Sequence, residues 1–195
     1  MEAITPNTED IECAIKTLIR AIGEDPEREG LKGTPDRIMR MFKEIFRGYD
    51  ESQKPKITTF ENEDGLSDIV FDKGDYYSMC EHHILPFFGQ YYFAYIPNPK
   101  GRILGISKVA RVVGYCAARL QLQERLARDI IKMLSDALDG EALGFAIVMK
   151  GTHMCKTMRG VRNDGTMTVA HFTGLFNLNS ELRKEFYKLI DLNNG

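Results

Sequence analysis

Cysteine and histidine residues cluster at two places in the chain. The stretch SMCEHHILPF contains Cys80, His82 and His83, with a C-x2-H spacing from Cys80 to His83, and THMC contains His153 and Cys155. Zinc takes thiolate and imidazole ligands, and a catalytic zinc site combines three protein ligands with one open position. A single Cys or His more often fills core or hydrogen-bonds within a sheet. Two clusters that each contain both residue types favour a metal site.

Basic residues occur at two places that could bind an anion. The stretch GISKVAR begins a predicted helix, with Ser107 as the predicted cap and with Lys108 and Arg111 one turn apart on one face. A helix N-terminus beside two cations is a good anion site, although the same pattern is common on solvated helix faces. Directly after Cys155, the stretch CKTMRGVR adds Arg159. A metal site beside a phosphate-binding patch predicts a phosphorylated substrate.

Two polar residues, Gln123 and Glu124, interrupt an otherwise apolar helical pattern in LQLQERL. A carboxylate can accept two hydrogen bonds from a ring with adjacent N–H donors, such as guanine. A Gln-Glu pair on a helix is usually plain surface, so this motif gains weight only beside the other two. Cys116 lies on the apolar face of a predicted helix and is interpreted as a small core residue.

Composition and charge exclude several classes of protein. The 195 residues carry a net charge of -2, which argues against a nucleic-acid coat or a membrane-surface protein, so an anionic ligand needs a local cluster of cations. No apolar run reaches the length of a membrane span, and the acidic stretch MEAITPNTEDIE lacks a signal pattern. We therefore expect a cytosolic protein whose four cysteines are thiols or metal ligands.

Apolar periodicity predicts a protein of the α+β class. In the first helix, Ile11, Ile15, Leu18, Ile19 and Ile22 form the expected apolar stripe. The second is predicted to begin with Thr34 as N-cap and Pro35 at the first helical position, and a polar loop is expected over 49–66. The predicted helices are 9–22, 34–48, 107–120, 122–140 and 180–190, and the predicted strands are 68–83, 89–98, 143–155 and 166–176.

Four segments, in this order, resemble those typical of the GTP cyclohydrolase I family: SMCEHHILPFFG, GISKVARVV, ARLQLQERL and THMCKTMRGV. GLKGTPDRIMRMFKEIF is similar to the family's N-terminal helical segment, and the likeness runs over about residues 9–190. The resemblance implies a tunnelling fold of β-β-α-α-β-β order behind that segment. The helical segment would cover 1–60 and the catalytic domain 61–195, within one structural unit. It further implies a toroidal homodecamer, a dimer of pentamers, with active sites between subunits.

The resemblance also implies a reaction and a set of roles. GTP and water would give 7,8-dihydroneopterin triphosphate and formate, the first step of folate and pterin synthesis, with GTP as substrate and with no nucleic-acid or membrane partner. One zinc ion per subunit would be held by Cys80, His83 and Cys155. His82 and His153 would handle protons, and Ser107 would act near the ribose. Glu124 would hold guanine with Gln123 beside it, while Lys108, Arg111 and Arg159 would face the triphosphate.

Two positions depart from the family pattern, namely Asn177, where a basic residue is frequent, and His171, where small or hydroxyl residues are usual. Both concern the C-terminal strand rather than the reaction. A zinc nucleobase deaminase would need H-x-E and P-C-x-x-C, and neither occurs. A non-catalytic pterin-binding relative would not need an open metal position or two proton-handling histidines.

Overall fold

A computed structural model describes residues 7–193 of the chain, which divide into two compact units between Arg47 and Gly48. The first unit contains helix α1 (Thr8–Ala21) and helix α2 (Thr34–Ile45), which contact each other. The side-chain oxygen of Asn7 caps α1 by accepting a hydrogen bond from the backbone N–H of Asp10 (2.8 Å). Both helices were predicted, and the boundary predicted at residue 60 between helical segment and catalytic domain stays a prediction.

One detail of the N-terminal prediction is wrong. Gly33, and not Thr34, is the N-cap of α2, and this cap has no side-chain hydrogen bond. The predicted apolar stripe of α1 is covered only in part, since Ile15 and Ile19 are buried whereas Leu18 and Ile22 are 67% and 80% exposed.

The second unit contains seven strands and five α-helices. The strands are β1 (Thr59–Glu61), β2 (Val70–Cys80), β3 (Leu85–Ile96), β4 (Arg102–Leu104), β5 (Leu120–Gln121), β6 (Gly144–His153) and β7 (Met167–Phe172). The helices are α3 (Ser107–Ala117), α4 (Gln123–Asp136), α5 (Met154–Thr157), α6 (Gly174–Leu178) and α7 (Ser180–Leu192). One sheet has the order β5-β2-β3-β6-β7, and β1 pairs with β4 in a second, two-stranded sheet. The predicted mixture of helices and strands is confirmed.

Sequence patterns missed the small sheet and misjudged one cap. Thr59–Glu61 was expected to be loop, yet it pairs antiparallel with Arg102–Leu104. The two segments are about forty residues apart, so a local pattern could not predict their pairing. Ser107 is the first residue of α3 rather than its cap, because the N-cap position belongs to Ile106 and no side chain bonds there.

The second half of strand β3, residues 91–96, is buried on both faces, which explains its continuous run of apolar and aromatic residues. On one face, Tyr91 and Phe93 belong to the main core with Leu126 and Ile130 of α4. On the other, the neighbouring residues of β3 pack with residues of α6 and α7, namely Tyr92, Ala94 and Ile96 with Phe176, Phe186 and Ile190. The predicted core role of Cys116 is confirmed, since it is buried in the main cluster. Within residues 7–193 no helix has the length and apolar character needed to cross a membrane.

Candidate metal centre and active site

The two Cys/His clusters meet at one end of the main sheet. Strand β2 ends at Cys80 and β3 begins at Leu85, so a turn of four residues, 81–84, carries His82 and His83. The backbone N–H of Ile84 closes this turn on the carbonyl of Cys80 (2.9 Å), and Ile84 has a φ of 51°. A β-branched residue in the left-handed region costs on the order of 1–3 kcal/mol, and such strain is typical of functional sites. Strand β6 ends at His153, which pairs with Phe87 of β3.

Three possible metal ligands converge there. The Sγ atoms of Cys80 and Cys155 are 3.7 Å apart. Together with a ring nitrogen of His153 they form a group whose ligand atoms all lie within 4.8 Å of one another. Within residues 7–193 this is the one group of three or more Cys, His, Asp or Glu side chains with such geometry. The structure therefore confirms the convergence of two segments that lie more than seventy residues apart.

The spacing of the two sulfur atoms fits a zinc ion. Two Zn–S bonds of about 2.3 Å at the tetrahedral angle set the sulfurs about 3.8 Å apart, close to the 3.7 Å found. All four cysteines of the chain are free. Burial and the neighbouring Cys80 thiol raise the pKa of Cys155. A bound cation would lower the pKa of this thiol, because a thiol that coordinates a metal ion is deprotonated.

His153 is held on two sides. Its Nε2 is 2.8 Å from Oε1 of Gln123, and its ring stacks on that of Phe87 with centroids 4.5 Å apart and planes 6° from parallel. Burial lowers the pKa of His153, while the nearby carboxylate of Glu124 opposes that shift. The structure thus brings Gln123 and Glu124, at the start of α4, beside the predicted proton handler.

His83 lies on the exposed turn and has a different partner. Its Nε2 is 2.8 Å from Nη1 of Arg159. Because a guanidinium has only donors, His83 Nε2 is the acceptor of this hydrogen bond. The structure thus brings Arg159 to the turn that carries His83, and its phosphate-binding role stays a prediction. It places His153 rather than His83 with the two cysteines. The choice of His83 as third ligand stays a prediction, and so does the role of His82, which is exposed on the same turn.

Three of the predicted site residues are not brought to this cluster within one chain. The C-terminal end of α3 lies beside β2, where Ser78 Oγ donates a hydrogen bond to the carbonyl of Ala117 (2.7 Å). Ser107 begins the same helix ten residues earlier, about 15 Å away at 1.5 Å per residue. Lys108 and Arg111 share that far half of the helix. Within residues 7–193, no hydrogen bond or ion pair joins Ser107, Lys108 or Arg111 to the Cys/His cluster, so the anion site predicted at the start of α3 stays a prediction.

Sequence reasoning missed the link between the metal-site turn and α4. Glu81 lies between Cys80 and His82 in the sequence, and it forms an ion pair with Arg125 of α4. Arg125 also donates from Nε to Oε1 of Gln121 (2.9 Å). The available signal was position: Glu81 follows Cys80 directly, and Arg125 follows Glu124 directly. This ion pair joins the turn that carries the histidines to the helix that carries Gln123 and Glu124.

Two thiols and an imidazole beside an exposed carboxylate and guanidinium are typical of a metal-dependent enzyme. Comparison with known proteins identifies the family. The family model described as GTP cyclohydrolase I matches residues 11–191. The chain therefore belongs to the GTP cyclohydrolase I family of enzymes.

Similar proteins with curated names support the same assignment. GTP cyclohydrolase 1 of Caldanaerobacter subterraneus subsp. tengcongensis is 45% identical over 184 residues, covering 94% of this chain and 96% of that protein. The enzyme of the same name from Clostridium kluyveri is 45% identical over 187 residues, covering 93% and 97%. That of Streptococcus agalactiae serotype Ia is 40% identical over 186 residues, covering 95% and 98%.

Proposed function

We propose that this chain is a zinc-dependent enzyme that converts GTP and water to 7,8-dihydroneopterin triphosphate and formate, the first step of pterin and folate synthesis. The observation that carries the proposal is the pair of thiols of Cys80 and Cys155, 3.7 Å apart beside His153. Membership of the family supports the choice of GTP. We also propose that the enzyme acts in the cytosol, as expected from the sequence.

The proposed roles follow from the chemistry of each side chain. Bound by Cys80, Cys155 and His83, a zinc ion would supply a water whose pKa is lowered to about 7. His82 and His153 would move protons during ring opening and deformylation, because histidine is the side chain that most often acts as a general acid or base. Ser107 would act near the ribose. Glu124 is exposed at the start of α4, where its carboxylate could accept two N–H groups of guanine, with Gln123 beside it.

The triphosphate would bind to Arg159 together with Lys108 and Arg111. A guanidinium binds phosphate more strongly than it binds a neutral imidazole, because both partners are charged. Substrate would therefore compete with His83 for Arg159 and release His83 Nε2. In this proposal Arg159 links the phosphate groups of the substrate to His83, the third ligand of the metal.

We also propose that the chain has the tunnelling fold and assembles as a toroidal homodecamer, a dimer of pentamers. Only Met79 and Cys80 of β2 pair with β5, so within residues 7–193 the rest of that edge lacks a strand partner, and β7 is the other open edge. Ring closure removes such edges. Sites between subunits would let a neighbour supply Lys108 and Arg111, which lie in the half of α3 that is remote from its contact with Ser78 of β2.

Light scattering is expected to give about ten times the chain mass of 22.2 kDa.

Co-expression of Cys155→Ser chains with Arg111→Ala chains should restore turnover that neither variant has alone. Mixed rings contain some sites with intact cysteines from one chain and an intact Arg111 from another. An active monomer would contradict the assembly, and mixed rings without activity would contradict the shared site.

Purified protein incubated with GTP is expected to release formate and to form a fluorescent pterin after oxidation. Guanosine should be a far poorer substrate, because it lacks the phosphates that Arg159 would bind. Arg159→Ala should reduce the ratio of kcat/KM for GTP to kcat/KM for guanosine by about 10- to 100-fold, which corresponds to the loss of one hydrogen bond to a charged group. The matched control is Arg128→Ala, at an exposed position of α4, which should leave this ratio unchanged. Equal turnover of both substrates by the wild type would exclude the phosphate site.

A further inference from the structure

The side chain of Gln123 is completely buried, and its hydrogen bonds fix the orientation of its amide group. Its Nε2 donates to two backbone carbonyls, those of Met149 (2.8 Å) and Met167 (3.2 Å). Turning the amide over would set its oxygen against both carbonyl oxygens, which only accept hydrogen bonds. Oε1 must therefore be the atom that faces His153, and it is 2.8 Å from Nε2 of that ring.

This orientation determines which nitrogen of His153 carries the proton. An amide oxygen only accepts hydrogen bonds, so Nε2 of His153 must be the donor and carry hydrogen. In the neutral ring the lone pair then belongs to Nδ1. The parallel stack on Phe87 prevents rotation of the ring out of this plane. Whether His153 takes up a proton or binds a metal ion, it must do so through Nδ1.

The surroundings of the Gln123 amide leave no room for a substrate atom. A Cβ atom at Gly151 would lie 2.9 Å from Oε1 of Gln123 and 2.3 Å from the hydroxyl of Tyr76. That hydroxyl is itself buried, and it has no hydrogen-bond partner in residues 7–193. Two backbone carbonyls, an imidazole and a phenol thus enclose the amide, which separates it from the exposed carboxylate of Glu124.

We propose that Gln123 is a positioning residue that holds His153 with Nε2 protonated and Nδ1 free, and that its side chain does not contact the base of the substrate. Only Glu124, the next residue, would then recognise guanine through its side chain. The first turn of α4 would then orient the substrate through Glu124 and the proton-handling His153 through Gln123. The inference deepens the proposed function and depends on it for the role of His153.

The protonation state can be measured without substrate. The chain has four histidines, so ¹⁵N spectra of histidine-labelled holoenzyme by magic-angle-spinning NMR are expected to resolve His153, assigned by the loss of its signal in His153→Asn. The expected pattern is a protonated Nε2 and an unprotonated Nδ1. A protonated Nδ1 with a free Nε2 in the wild type, or a mixture of both forms, would overturn the proposal even if Gln123→Met could not be purified.

Kinetics of a variant test the positioning role. Gln123→Met keeps the length of the side chain and removes its hydrogen bonds, so kcat should fall by about 10- to 100-fold, as for partners that orient a functional histidine. KM for GTP should stay within about threefold, whereas Glu124→Ala should raise it. The control is Asn62→Leu, which also removes a buried amide, one bonded to the backbone carbonyls of Leu66 and Asn98 rather than to a histidine. It should lose stability with little change in kcat.

Different results separate this inference from the proposed function. A raised KM with an unchanged kcat in Gln123→Met would show that Gln123 contacts substrate and would overturn the positioning role. Equal losses of kcat in Gln123→Met and Asn62→Leu would show that the effect comes from stability and would also overturn the positioning role. A wild type with the expected tautomer but no formate release would retain the role of Gln123 toward His153 and would reject the reaction.

Discussion

Cys155→Ser protein is expected to contain little zinc and to release almost no formate from GTP. The two thiols of Cys80 and Cys155 provide two of the proposed ligands at a separation that suits one tetrahedral ion. A serine hydroxyl is a much poorer ligand for zinc than a thiolate. Loss of a direct ligand should therefore exceed the roughly 10- to 100-fold loss that follows mutation of an outer partner. Cys80→Ser should behave in the same way.

The other two cysteines give matched controls. Cys13→Ser changes an exposed residue of α1, and Cys116→Ala changes a buried residue of the core. Both should retain about one zinc per chain by elemental analysis, and Cys116→Ala should lose stability only. Burial raises the pKa of Cys116 to about 12, so it is held as a neutral thiol and is a poor candidate ligand. Full zinc content in Cys80→Ser and Cys155→Ser would refute the metal site, and so would full activity of the metal-free wild type.

The convergence of the two clusters could be predicted because its signal is local. Each cluster is a short motif at the end of a strand, and two adjacent antiparallel pairs, β2 with β3 and β3 with β6, set those ends together. Resemblance to a family assigned further residues, including Glu124 and Arg159. The structure places both of these beside the histidines of the cluster.

Features that depend on distant partners could not be predicted from the sequence. The pairing of β1 with β4 requires the chain to return after about forty residues, and the polar composition of 49–66 gives no indication of it. The orientation of the Gln123 amide is set by the carbonyls of Met149 and Met167, which have no distinguishing side-chain chemistry. The position of α3, whose start at Ser107 is about 15 Å along the helix from its end beside β2, likewise follows from packing on β2.

The three histidines of the site are expected to respond differently to mutation. His83→Ala should lose zinc together with activity, because it removes one of three proposed ligands. His82→Ala and His153→Ala should retain zinc while turnover falls, in at least one of them by about 100- to 10,000-fold, as expected for a general acid or base. The blocked step can also differ. A variant that opens the imidazole ring without finishing deformylation should accumulate a formylated intermediate, and one blocked earlier should leave only GTP.

The structure makes this comparison decisive, because two different histidines compete for the third ligand position. His153 lies with Cys80 and Cys155, and His83 bonds to Arg159. His153 is fixed by Gln123 and by the stack on Phe87, which suits a group that must present one nitrogen to substrate. His83 lies on an exposed turn three residues after Cys80, and substrate phosphate could free its Nε2 from Arg159.

Zinc content by elemental analysis, together with product analysis for each variant, decides whether His83 or His153 is the third ligand. His171→Ala is the control, since it removes a half-buried imidazole of β7 that lies outside the group of ligands. It should keep both zinc and turnover. Zinc loss in His153→Ala with retention in His83→Ala would make His153 the third ligand and would reject the assignment carried over from the family. Zinc loss in His82→Ala as complete as in His83→Ala would instead identify His82 as a ligand. Retention of zinc in all three variants would mean that the two thiols hold the ion without any of these histidines.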